Sequence, residues 1–195
     1  MTRSHRTLRT TLIGMSIPFA LAVMIPPAPG HAQARNPEAD ANVARARAAM
    51  APLAGLVGKW TGDADVTIGR GQKRRIAQSE DIVWGAGETV ILVRGTGRST
   101  EAADEGTIVF EAAAVLWFDP DQGRVRMKTH RDGDSVEPEI EIKPDTLVWS
   151  FEVPGGRVRY VIAIDGDRWH ETGHSVRAGA PAVDMIDMRL RRVSP

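Results

Sequence analysis

The chain of 195 residues contains no cysteine, a single tyrosine and no excess of either charge, with 25 basic residues against 25 acidic. Without cysteine there are no disulfides, no thiolate metal site and no acylated N-terminal cysteine of a lipoprotein. Balanced charge argues against a nucleic-acid partner. The one basic cluster, Arg70, Lys73, Arg74 and Arg75, has the form of a solvated hairpin end. No Gly-rich phosphate loop, internal repeat or nucleophile–base motif is present. The Asp-rich turns at Asp119/Asp121 and Asp132/Asp134 bring too few oxygen ligands together for calcium. No catalytic residue and no metal site is expected.

The longest apolar run, Leu12 to Ile25, is interrupted by Gly14 and Pro18 and is too short to span a membrane comfortably. Arg3, Arg6 and Arg9 precede it, and Ala32-Gln33-Ala34 follow. This is the order of a secretory signal peptide, residues 1–34, cleaved after Ala34. The expectation is a periplasmic protein with no integral membrane segment after processing. The remaining chain is about 160 residues, enough for one domain with a sizeable core. Residues 35–52 read as a linker and short helix, from about Ala41 to Met50 and stopped at Pro52. Leu53, Leu56 and Val57 then form one apolar turn, opening a domain that runs from 53 to 195.

Beyond Trp60 the pattern has period two. In "RVRMKTHR", Val125, Met127 and Thr129 share a face; in "LVWSFEV", Leu147, Trp149 and Phe151 do; in "RVRYVIAID", Val158, Tyr160, Ile162 and Ile164 do. Such alternation marks half-buried strands. Asp-Gly, Pro-Gly-Gly and Asp-Pro-Asp-Gln-Gly punctuate them as hairpin turns. "IVFEAAAVLWF" carries three alanines that favour helix, but its β-branched and aromatic residues, and the turn directly after, favour a strand. About ten segments begin near Trp60, Lys73, Thr89, Thr107, Arg124, Ser135, Thr146, Arg157, Arg168 and Ala182. The predicted fold class is all-β: a single antiparallel up-and-down barrel of about ten strands, closed at one end by a short N-terminal helix. A barrel of that size can hold a ligand.

"RWHETGHSV" contains the letters H-E-x-x-H of zinc proteases. The pattern works on a helix, where the two histidines fall on one face. In a strand following the Asp165-Gly166-Asp167 turn, His170 and His174 stand about 13 Å apart, and one zinc needs both nitrogens at about 2 Å. The motif is accidental.

Gly58-Lys59-Trp60, opening the first strand after a helical turn, resembles the G-x-W signature of lipocalins and the wider calycin superfamily. That resemblance implies a Trp60 that closes one barrel end beneath an arginine of the last strand, where "MRLRRV" offers Arg189, Arg191 and Arg192. "YVIAIDGDRWHETGHSVRAGAPAVDMIDMRLRRV" is similar to the end of a bacterial lipocalin-like domain family of unknown function, except in the loop "AGAPAVD". The likeness runs from about Leu53 to Val193 and also takes in nitrobindin and fatty-acid-binding-protein-like barrels. It implies the fold and no settled activity.

Five tryptophans are many for this composition. Trp84, Trp117, Trp149 and Trp169, with Met127 and Tyr160, are candidates to line a pocket for a small hydrophobic or amphipathic ligand. Ordinary core packing would use the same residues. Arg94 and Glu171 are the candidate buried charges, with Arg94 paired to Glu111 or Glu171 to anchor a carboxylate-bearing ligand. No cofactor is expected, with haem as the alternative by resemblance to nitrobindins; His130, His170 and His174 are its candidate ligands. An inward Trp169 would turn His170 and His174 outward. A second alternative makes Glu171 an acid or base beside a histidine.

Overall fold

The computed structural model describes residues 36–68 and 71–193. The signal-peptide reading, its cleavage site and Arg70 lie outside those residues.

A helix, α1 (Pro37–Met50), starts four residues earlier than expected. Asn36 caps it by accepting from the Glu38 amide at 3.1 Å, and Pro37 supplies a first-turn residue that needs no hydrogen-bonded N–H. Ala51–Leu56 continue as a 3-10 turn with Pro52 in its first turn. Met50, Leu53 and Leu56 are buried and form the plug of the barrel.

Eleven strands follow: β1 (Gly58–Ile68), β2 (Gln72–Gly85), β3 (Val90–Ser99), β4 (Ile108–Asp119), β5 (Arg124–Arg131), β6 (Asp134–Val136), β7 (Glu139–Lys143), β8 (Thr146–Val153), β9 (Gly156–Asp165), β10 (Arg168–Arg177) and β11 (Val183–Arg192). They make one antiparallel sheet in the order β6-β5-β4-β3-β2-β1-β11-β10-β9-β8-β7. Nearly every pair of neighbours is joined by a hairpin, and the exception, β1 beside β11, brings the two ends of the chain's strand series together.

The expected strand near Ser135 is two strands. Its first half pairs with β5 and its second with β8, so β6 and β7 are the two edges of the curled sheet. Glu137-Pro138 separates them. Proline has no N–H to give a ladder, which is the physical reason for the break. Arg126 of β5 holds the junction from outside through an ion pair with Glu137.

The structure also resolves the helix-or-strand ambiguity of "IVFEAAAVLWF" in favour of strand. Ala112 and Ala114 of β4 line the barrel interior, and their short side chains widen it. Likewise Arg168–Arg177 is strand β10, and its histidines bond to carboxylates of β11 outside the barrel.

Candidate functional site

The closed end is built as the G-x-W resemblance implies. The Trp60 indole donates to the Leu56 carbonyl at 2.8 Å, and the Arg192 guanidinium lies 4.0 Å from the Trp60 ring centroid. Arg192 also donates to the carbonyls of Val57 and Gly55 at the end of the 3-10 turn. Gly58 has φ +142°, and a Cβ there would run into that guanidinium. The first letter of G-x-W therefore makes room for the arginine. Trp169 packs edge-on against Trp60, with centroids 5.5 Å apart. Arg191, taken from sequence as a second closure residue, points outward to Asp167 at 3.5 Å.

Above this floor the barrel encloses a cavity of about 400 Å³. Its walls include Met127 of β5, Trp149 of β8, Tyr160 and Ile162 of β9, and Trp169 with Glu171 of β10. Trp149 and Tyr160 are cross-strand partners and stack with centroids 4.0 Å apart and planes 10° from parallel.

Three buried polar side chains face this cavity. Gln78 and Glu80 of β2 are only 3% and 8% exposed, and the Gln78 amide donates to Glu80 Oε1 at 2.8 Å. Glu171, 8% exposed, faces the cavity with them. Burial pushes the Glu80 carboxyl up to about 7, against the Gln78 hydrogen bond. Burial, reinforced by Glu80, pushes Glu171 up to about 8. The Trp169 and Trp149 indoles lie beside Glu171 and oppose that shift, but neither buried N–H reaches hydrogen-bonding geometry with a protein atom. Burial, with the negative charge of Glu171, also raises the Tyr160 phenol.

Glycines opposite these groups supply the space. Gly95 is the cross-strand partner of Glu80 and Gly97 that of Gln78. A Cβ on Gly95 would meet Glu80 Oε1 at 2.8 Å, and one on Gly97 would meet Gln78 Oε1 at 2.8 Å. Gly173 partners Tyr160, and a Cβ there would meet the phenol ring at 2.5 Å. Each contact is closer than Cβ atoms normally come, so a side chain at any of the three positions would displace the group opposite it.

Of the residues proposed from sequence to line a pocket, Met127, Trp149, Tyr160, Trp169 and Glu171 lie on the wall of this cavity. Trp84 is on the inward face of β2 but beyond Ile82, packed against the plugged core and outside the cavity. Trp117 is a correction: its neighbours Leu116 and Phe118 take the inward face, and it lies outside against the Arg126 guanidinium, 5.5 Å from its ring. Arg94 is another. Its side chain is 74% exposed and meets Asp81 at 3.7 Å on the outer face, so it anchors neither Glu111 nor Glu171. The cavity offers a carboxylate ligand no arginine at that strand.

Trp169 does point inward, which turns His170 toward Asp187 and His174 toward Asp184, each at 3.0 Å on the outer surface. Neither reaches the cavity as a haem ligand or as a partner for Glu171. His130 stands exposed at the rim. The other buried acid facing this cavity is Glu80, which the sequence did not single out. The signal was there: in "IAQSEDIVW", Gln78 and Glu80 have the same parity as Ile76 and Ile82 and so share the buried face.

Fold and site together define an antiparallel β-barrel with a ligand-sized interior, closed at one end and acidic at depth. No family model and no curated protein matches the sequence. Among solved structures, the chain is similar to the crystal structure of Rv2717c from M. tuberculosis (TM-score 0.57, 14% identity, 75% of this chain and 98% of that one). It is also similar to the S-type phycobiliprotein lyase CPES from Guillardia theta (TM-score 0.54, 15% identity, 78% and 97%). At such identities the likeness is one of fold.

Proposed function

We propose that this protein is an exported barrel that binds one small apolar or amphipathic molecule in its interior. The carrying observation is the cavity of about 400 Å³, walled by apolar and aromatic side chains that include Met127, Trp149, Tyr160 and Trp169, with Gln78, Glu80 and Glu171 as its buried polar groups. That is the volume and character of a small-molecule site. Export rests on the N-terminal pattern and makes the periplasm the compartment. Among the described residues no helix is long and apolar enough to cross a membrane.

Native mass spectrometry of protein purified from the periplasm of its own organism tests the reading. A co-purified small mass, with tryptophan quenching when it is added back, is the expected result. Empty protein that shows no fluorescence response to fatty acids, isoprenoids or haem overturns it. Haem as the occupant would need His130 at the rim, because His170 and His174 face outward.

The Glu80–Glu171 pair favours a second reading, in which one carboxyl acts as acid and the other as base on a bound substrate. Burial pushes the two carboxyls up to about 7 and about 8, a range that suits proton transfer near neutral pH. Turnover of a carbonyl or ester substrate that is lost in Glu171→Gln, with substrate binding retained, would establish it. Binding without turnover would leave the protein a carrier.

A further inference from the structure

The two buried carboxyls have hydrogen-bonding neighbours but no cation. Gln78 donates to Glu80, and the Trp149 and Trp169 indoles stand beside Glu171 with their N–H groups unpartnered. Among the described residues no ion pair reaches Glu80 or Glu171. The arginines of the cavity rim are engaged elsewhere. Arg74 meets Asp104 at 2.8 Å and Glu101 at 3.0 Å, while Arg131 meets Asp132 at 2.9 Å and lies over Phe110 at 4.7 Å.

Two acids packed only for stability would be an odd choice here, since an apolar pair of similar size fills a core without desolvation cost. The facing strand nevertheless leaves space for them, with Gly95 opposite the Glu80 carboxylate and Gly97 opposite Ile76 and Gln78. What the two carboxyls lack among the described residues is a paired cation. Aromatic faces complete the setting: the Trp149–Tyr160 stack and Trp169 line the same cavity. Such faces attract cations most strongly where water is excluded.

We propose that the inner end of the cavity is a site for an organic cation: a protonated amine on an apolar body, its nitrogen held by Glu80 and Glu171 and its body along Trp149, Tyr160 and Met127. This rests on the ligand-binding reading above and specifies which end of the ligand goes in first. The bound ammonium supplies the missing counter-charge, allowing the carboxyls to ionise inside the barrel.

The test compares decylamine, decanol and decanoic acid, which share one chain and differ in head group, by isothermal titration calorimetry on the mature protein. Decylamine is expected to bind at least tenfold more tightly than decanol. The Glu80→Gln/Glu171→Gln double variant should abolish that preference while still binding decanol, which also shows that it is folded. Decanol or decanoic acid binding as tightly as decylamine overturns the cation site and leaves the barrel a carrier of other ligands. An amine preference that survives in the double variant overturns the assignment to these two residues. Failure of all three compounds to bind the wild-type protein counts against the cation site and the ligand-binding reading together.

Discussion

Arg192 and Trp60 lock the two ends of the strand series to each other: the guanidinium of the last strand covers the indole of the first at 4.0 Å, and the two residues are register partners between β1 and β11. The same guanidinium ties down the carbonyls of the plug at Val57 and Gly55. Arg192→Ala removes a cation–π contact and two charge-assisted hydrogen bonds at once. The expected loss is about 2–4 kcal/mol of unfolding free energy. Arg191→Ala, which removes only an exposed pair with Asp167, should cost less than about 0.5 kcal/mol. Urea denaturation of the two variants checks this, and equal losses would be inconsistent with the lock.

Gly95 and Glu80 are coupled by space. Gly95→Ala places a Cβ within 2.8 Å of the Glu80 carboxyl and should destabilise the barrel by about 1–3 kcal/mol. In a Glu80→Ala background the obstacle is gone, and the same substitution should be close to neutral. A double-mutant cycle reads the difference. An equal cost in both backgrounds would place the strain in the β3 backbone instead.

Between about pH 4.5 and pH 8, Glu80 and Glu171 should make stability fall as pH rises. A carboxyl whose folded pKa lies above its ordinary value binds its proton more tightly in the folded state. Folding is therefore favoured below about 4.5 and loses free energy up to about 8 for Glu171 and about 7 for Glu80. The groups facing Glu171 are Glu80 from β2, Tyr160 from β9, Trp149 from β8 and Trp169 on its own strand. Glu171→Gln has no proton to lose. It should be more stable than the wild-type protein at pH 8, by roughly 1–3 kcal/mol, with a flatter profile between pH 5 and pH 8. Thermal unfolding across that range is the measurement, and parallel profiles would show that Glu171 is not buried as an acid.

The five tryptophans should report ligand unequally. Trp149 and Trp169 line the cavity, Trp117 lies outside it under Arg126, and Trp84 packs at the plugged end. Trp149→Phe should remove a large part of any ligand-induced change in fluorescence, and Trp117→Phe almost none. The reverse pattern would put the ligand on the outer surface.

The strand count, the hairpin order, the plug and the G-x-W closure were legible along the chain, because they depend on period-two alternation, turn residues and one short motif. Ten expected strand starts fall within two residues of observed ones, and the eleventh strand comes from a proline that stops one ladder and starts another. Inside and outside were harder. Alternation says that Trp117 and Leu116 face opposite ways but not which is inward; that depends on what β4 packs against, and Leu116 won. Arg94 faces outward for the same reason, opposite the inward Gly95. Parity puts Glu80 on the face of Ile76 and Ile82, but that it shares a cavity with Glu171 is decided only by the tertiary structure. Glu80 and Glu171 are 91 positions apart in sequence, and only the curl of the sheet turns β2 and β10 toward one interior. The glycines that admit them are cross-strand partners, a relation that exists only once the register is set.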